Sequence, residues 1–228
     1  MSPKELARKL QLCGTEWFAI TDHNSMANCP AYEFAAKKVG LAFSWGVEIQ
    51  SIEEIHVLAY FDSSIDAKAF DEQLYSSLLP LDNDPDYFGD QVIIDENENI
   101  LKVESRALIN SSTWDLQSVV EMVQAHNGFA VPAHVDADVN SILSQLGFLP
   151  LEPRFELLGI TAALDLHEFL AMHPELRGME FLRASDAHYL GDLGKGNCHV
   201  NVLSPCISEL RKASLRIDGR YIDNTKIE

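Results

Sequence analysis

At 228 residues, with 46% apolar and 23% charged side chains, the chain is long enough for one sizeable folded domain spanning 1–228 and has an ordinary globular composition. Its 17 basic and 35 acidic side chains give a formal net charge of −18, a surface that repels nucleic acid and anionic lipid. Duplex DNA is therefore not expected as a partner, whereas a small phosphorylated substrate, including a nucleotide or an RNA end, stays possible because bound cations reverse the local field.

No stretch approaches the ~20 apolar residues of a membrane span. The opening Met-Ser-Pro-Lys-Glu has no signal-peptide pattern, so a cytoplasmic protein with no membrane partner is expected. Cys13, Cys29, Cys198 and Cys206 show no Cys-x-x-Cys spacing and are expected as reduced, largely buried thiols.

In chain order, Ser2 is a good helix N-cap, Pro3 suits the first helical position, and Glu5 completes a capping box for a helix that Gly14 ends. The run 17–21 reads as a strand buried on both faces. A helix over 28–39 follows, then strands over 41–49 and 55–61 and a helix over 66–79. This alternation predicts parallel βα units. Between 81 and 113 the pattern changes: 91–95 and 100–104 flank the polar turn Glu96-Asn97-Glu98-Asn99, an inserted β-hairpin. Beyond it come a helix over 115–126, strands over 128–133 and 155–160, and a helix over 164–172. A strand over 179–184, a Gly-rich loop to Gly196, a strand over 198–203 and a helix over 207–214 complete the series.

Histidine and acidic residues fall at strand ends. Asp22 and His23 follow the first strand, Glu48 closes the second, His56 opens the third, His134 ends the 128–133 run, and Asp186 and His188 follow 179–184. In parallel α/β folds such positions converge on one mouth, and imidazoles with carboxylates there form a divalent-metal constellation. One such histidine is more often structural, and Asp22-His23 alone could be an Asx turn. Such residues at successive strand ends are hard to explain by packing, because buried imidazoles and carboxylates need partners. Arg183 is a candidate phosphate clamp or a salt bridge on the rim. Lys195 is a weaker candidate, Asp136 and Asp138 could steer His134, and Asp165 with His167 belongs to a helix.

Ile20-Thr21-Asp22-His23-Asn24, Gly46-Val47-Glu48-Ile49, His56-Val57-Leu58-Ala59-Tyr60-Phe61, Val131-Pro132-Ala133-His134 and Ser185-Asp186-Ala187-His188 resemble, in order, motifs of the polymerase-and-histidinol-phosphatase (PHP) superfamily, in its stand-alone bacterial phosphoesterase branch. The resemblance implies a distorted (β/α)7 barrel holding up to three divalent ions, Zn, Mn or Fe. It implies that Glu48 bridges two metals, that His56 and His134 share the second with it, that His23 and His188 serve a third, and that Asp186 serves the first. Asp22 would orient an imidazole, and Asp22 and Arg183 are the candidate catalytic side chains. The implied activity is hydrolysis of a phosphate ester by metal-activated water.

The superfamily's first motif, His-x-His on an initial strand, has no counterpart before Asp22. Its absence implies a missing first strand, a deficit of three ligands, and low or no activity in the 228 residues. The chain could start too late, be truncated, or be an inactive binding protein on the same scaffold. Another barrel hydrolase, such as an amidohydrolase, is disfavoured because no lysine sits at a strand end.

Overall fold

The computed structural model describes residues 1–224. Helix α1 (Pro3–Leu12) starts where Ser2 Oγ accepts the Glu5 N–H, with Pro3 at the first helical position. The expected partner in the cap is replaced. Glu98, from the hairpin turn, accepts both the Ser2 hydroxyl at 2.6 Å and the Lys4 N–H at 3.0 Å. Strand β1 (Trp17–Ala19) is shorter than expected and only half-buried, because it lies at the edge of its sheet.

Helix α2 (Cys29–Val39) leads into β2 (Ala42–Gln50) and β3 (His56–Phe61), followed by α3 (Ser64–Ser77). The inserted region holds a short helix α4 (Pro85–Phe88) and the hairpin β4 (Gln91–Ile94) and β5 (Ile100–Glu104), paired antiparallel. Helix α5 (Leu116–Ala125), β6 (Phe129–Pro132), α6 (Ile142–Leu146), β7 (Leu158–Ile160) and α7 (Leu166–Met172) follow. The last elements are β8 (Phe181–Arg183), β9 (His199–Asn201), α8 (Ile207–Ser214) and β10 (Tyr221–Asp223).

The main sheet has the order β1-β2-β3-β6. Its β1–β2 pair is parallel, but β3 runs antiparallel to both β2 and β6. The expected run of parallel units therefore breaks at β3. The link from β2 to β3 is a tight return in which Gln50 faces His56, too short for a crossover helix. Strands β7 and β8 form a separate parallel pair, joined to the end of β6 through the Val135 N–H to Gly159 carbonyl bond of 2.8 Å. Strands β9 and β10 pair antiparallel. Among the described residues the strands do not close into a barrel, so the architecture is mixed α/β with sheets and helices.

Every residue of β3 is buried, and its alternation feeds two cores. Val57, Ala59 and Phe61 face one, with Phe70 and Leu74 of α3 and Val119 and Val123 of α5. Leu58 and Tyr60 face the other, with Val131, Leu157, Ile207 and Leu210. Burying a side chain such as Phe61 or Leu74 stabilises by about 1.5–3 kcal/mol. The four cysteines are free, but only Cys29 is fully buried and Cys13 is exposed, against the expectation of a mostly buried set. No described helix is long and apolar enough to cross a membrane.

Asp71 on α3 accepts the Met26 N–H at 2.8 Å, and burial pushes its carboxyl up to about 6. Ionised Asp71 therefore costs stability above pH 6, and the cost fades as pH falls toward the unfolded value. Asp71→Asn keeps the acceptor oxygen. It is expected to stabilise the fold by about 1–2 kcal/mol at pH 8 and by almost nothing near pH 4, read from chemical unfolding at both values.

Candidate metal centre

The reversal at β3 builds the site. Glu48 lies two residues from the end of β2, His56 is the first residue of β3, and β6 ends against the start of β3, with Val57 facing Pro132. A residue that opens one strand and residues that close two others thus meet at one edge. His23 joins them by extending the parallel β1–β2 pairing, where it bridges to Glu48 itself. Gly46 permits the close passage of that loop, since a Cβ there would stand 2.8 Å from the Ile20 carbonyl oxygen.

Glu48 is 8% exposed and surrounded by three imidazoles. His23 Nδ1 is 3.2 Å from Oε2, while His56 Nδ1 and His134 Nε2 are 3.3 and 3.6 Å from Oε1. His56 Nδ1 and His134 Nε2 are 3.2 Å apart, and His56 Nε2 lies 3.4 Å from Gln50 Oε1. Ligand atoms of His23, Glu48 and His56 all fall within 4.8 Å of one another.

Burial alone would raise the Glu48 pKa, but hydrogen bonds from His134 and His56 and the nearby imidazole charges hold it well below the usual carboxylate range. Burial lowers His23, only partly offset by Glu48. Burial also opposes the charge on His134, yet its bond to Glu48 leaves its pKa raised. His134 Nδ1 is buried without a hydrogen-bond partner, and His23 Nδ1 faces Glu48 Oε2 without the alignment of a hydrogen bond. Buried polar atoms left unbonded are rare in folded proteins, and a set of imidazole nitrogens around one carboxylate suits a divalent transition metal.

Two of these residues hold uncommon backbone. His134 has φ of 29° and Asp186 has φ of 44°, the left-handed region that non-glycine residues seldom occupy outside constrained sites. The Asp136 carboxylate accepts the Thr161 N–H at 2.9 Å and its hydroxyl, fixing the loop after His134 to the end of β7.

The remaining candidates stand further out. Asp186 and His188 are exposed on the same cavity, a space of about 1070 Å³ that also reaches Asp22, His23, Glu48 and His134. Their charges act on His134 and His23 respectively, and His188 Nδ1 lies 3.0 Å from the Asp186 carbonyl oxygen. Asp22 faces the cavity too. Crowding by protein raises its carboxyl, with partial relief from the Asn28 amide at 3.5 Å.

Arg183 is no rim salt bridge. It is 5% exposed, its Nη1 donates to the Thr161 and Ala162 carbonyls at 2.9 and 3.0 Å, and its Nε has no partner. Lys195 is engaged with Asp192 at 2.9 Å, and Asp165 caps α7 as expected of a helix residue. Asn24, Asn28 and Gln50 were not anticipated at the site. The only sequence signal for the two asparagines is their position just after the Asp22-His23 pair.

No family model matches the chain, and no curated protein does. Solved structures do. A lesion-specific endonuclease Q from Pyrococcus furiosus superposes with a TM-score of 0.68 at 17% identity, over 96% of this chain and 52% of that one. Endonuclease Q in complex with a 27-mer duplex bearing an abasic lesion at its active site gives 0.64 at 17% identity, over 95% and 52%. An amidohydrolase from Chromobacterium violaceum, with bound sulfate and no metal, gives 0.55 at 18% identity, over 94% and 92%. The chain thus spans about half the length of the endonuclease Q chains.

The exclusion of duplex DNA from net charge does not stand, because a protein of similar fold is solved with a DNA duplex at its active site. Overall charge is an average that a local site escapes. What these likenesses establish is a fold shared with endonuclease Q and an amidohydrolase.

Proposed function

We propose that this chain is a metal-dependent phosphoester hydrolase of the PHP type, its strands an open version of the (β/α)7 barrel, acting on the phosphodiester of a nucleotide or nucleic acid. The observation that carries the proposal is Glu48, a buried carboxylate bordered by three imidazoles at one mouth. The metal would be Zn, Mn or Fe, held by Glu48, His23, His56 and His134, with Asp186 and His188 available from the rim. The four free cysteines are compatible with a reducing, cytoplasmic setting.

A bound divalent cation supplies polarisation of a phosphoryl oxygen and acidification of water. The chain's own groups do the rest. Glu48 holds negative charge where the ligand nitrogens converge, and the lowered His23 keeps a neutral lone pair. Asp22, exposed on the cavity beside His23, is placed to orient a ligand imidazole. Arg183, buried on the cavity wall, carries a fixed positive charge suited to an anionic phosphate group.

The amidohydrolase likeness raises amide hydrolysis as a rival chemistry, because fold alone does not choose the bond cleaved. Among the described residues no lysine lines the cavity, whereas Arg183 does, and this favours the phosphoester.

The test is to load metal-free protein with Zn²⁺, Mn²⁺ or Fe²⁺ and assay bis(p-nitrophenyl) phosphate, p-nitrophenyl phosphate, and single- and double-stranded oligonucleotides. Metal-dependent diester cleavage, slow because no His-x-His motif precedes Asp22 and abolished by chelator, is the expected result. Arg183→Lys should raise KM about tenfold with a smaller change in kcat, since a lysine lacks the planar fork. Failure to take up metal, or metal uptake with hydrolysis of amides alone, overturns the proposal.

A further inference from the structure

The side chain of Asn24 is fully buried and makes three of the four bonds that its amide offers. Nδ2 donates to the Leu108 and Asn110 carbonyls, both at 2.8 Å, and Oδ1 accepts the Gln50 N–H at 3.1 Å. Its own N–H donates to the Glu48 carbonyl at 2.8 Å. The backbone is left-handed, with φ of 49°, a region asparagine tolerates better than most residues. One residue therefore joins the loop carrying His23, the end of β2 carrying Glu48, and the returning limb of the inserted region.

Gln50 extends the same seam. Its carbonyl accepts both the Ser112 N–H at 2.8 Å and the Ser112 hydroxyl at 3.0 Å, while its side-chain oxygen is 3.4 Å from His56 Nε2. Asn28 makes a separate seam. It donates to the Val92 carbonyl and accepts the Ile94 N–H, each at 3.1 Å, and so imitates a strand partner for β4. Held this way, the inserted region brings Phe88, Val92 and Ile109 to the wall of the cavity that contains His23.

We propose that Asn24 is the positioning residue of this site: it fixes His23 against Glu48 and sets where the inserted wall stands over the cluster. A merely structural asparagine would lower stability when replaced and leave the His23 ring unchanged. A positioning residue alters the ring environment and the wall together.

Asn24→Asp separates the bonds, because the carboxylate still accepts from Gln50 but cannot donate to Leu108 or Asn110. Asn28→Ala releases β4 and the long 3.5 Å contact to Asp22 while keeping every Asn24 bond, and is the comparison. The measurements are histidine ring resonances and amide exchange on metal-free protein, and Zn²⁺ affinity by titration. For Asn24→Asp the expected results are a displaced His23 ring signal, exchange at Asn110 and Ser112 faster by about tenfold or more, and Zn²⁺ binding weaker by about 10–100-fold. Asn28→Ala should speed exchange at Ile94 and leave the His23 signal in place.

An unchanged His23 signal in Asn24→Asp, or an equal displacement in both variants, overturns the proposal. The Zn²⁺ arm rests on the proposed metal dependence. If the parent protein takes up no Zn²⁺, that dependence fails, while ring signals and exchange still decide the role of Asn24. Asn24→Ala adds the loss of the Gln50 bond, and if it does not fold the aspartate variant carries the result.

Discussion

Glu48→Gln is expected to remove both metal uptake and phosphodiester cleavage while leaving the chain folded. The amide has nearly the same shape and can still accept from one imidazole, so the packing around a residue 8% exposed is preserved. It loses the negative charge that three imidazoles face within 3.2–3.6 Å. Outer partners of metal ligands commonly cost about 10–100-fold in affinity or activity. A residue placed between three ligand nitrogens should cost more, at least ~100-fold in Zn²⁺ affinity and ~1000-fold in turnover. His188→Ala, at the exposed rim, should lower turnover less. Titration calorimetry and the diester assay measure both, and circular dichroism controls for folding. Parent-like metal uptake in Glu48→Gln would remove Glu48 from the centre of the site.

The gathering of His23, Glu48, His56 and His134 was legible because each punctuates an apolar run, and such punctuation marks where a strand leaves the core. Strand direction was not legible, since a period of two reads the same both ways. His56, which opens its strand, reaches the residues that close theirs only because β3 is reversed. Helix α8 begins and ends where its pattern predicts, since Ile207, Leu210 and Ala213 form a plain buried stripe. The Ser2 cap was half legible: its acceptor role is local, but its second partner, Glu98, is 96 positions away.

The tethers made by Asn24 and Asn28 were illegible for the same reason. Their distant partners are backbone groups of the inserted region, and backbone groups leave no mark on residue identity. Net charge misled on DNA because it sums the surface. It says nothing of a cavity where Arg183 keeps an unbonded Nε and imidazoles wait around one carboxylate.

The metal-free and metal-loaded proteins should respond to pH in opposite directions. His134 has a raised pKa in the fold, so its contribution is fully present below the unfolded value of 6.5 and is lost as pH rises through the folded value. His23 has a lowered pKa, so its protonation costs stability only below 6.5 and adds no slope above it. Glu48 stays ionised across this range, its contribution being lost only in strong acid. As pH rises above 6.5 the metal-free fold should therefore lose stability as the His134–Glu48 pair loses its charge. Zn²⁺ binds neutral imidazoles and releases protons, so its stabilisation grows over the same interval. At a free Zn²⁺ concentration 100 times Kd it adds about 2.7 kcal/mol. The difference in unfolding free energy with and without Zn²⁺ should widen steadily toward pH 8, and Glu48→Gln should flatten both curves. Parallel curves would mean that the ions do not bind through these imidazoles.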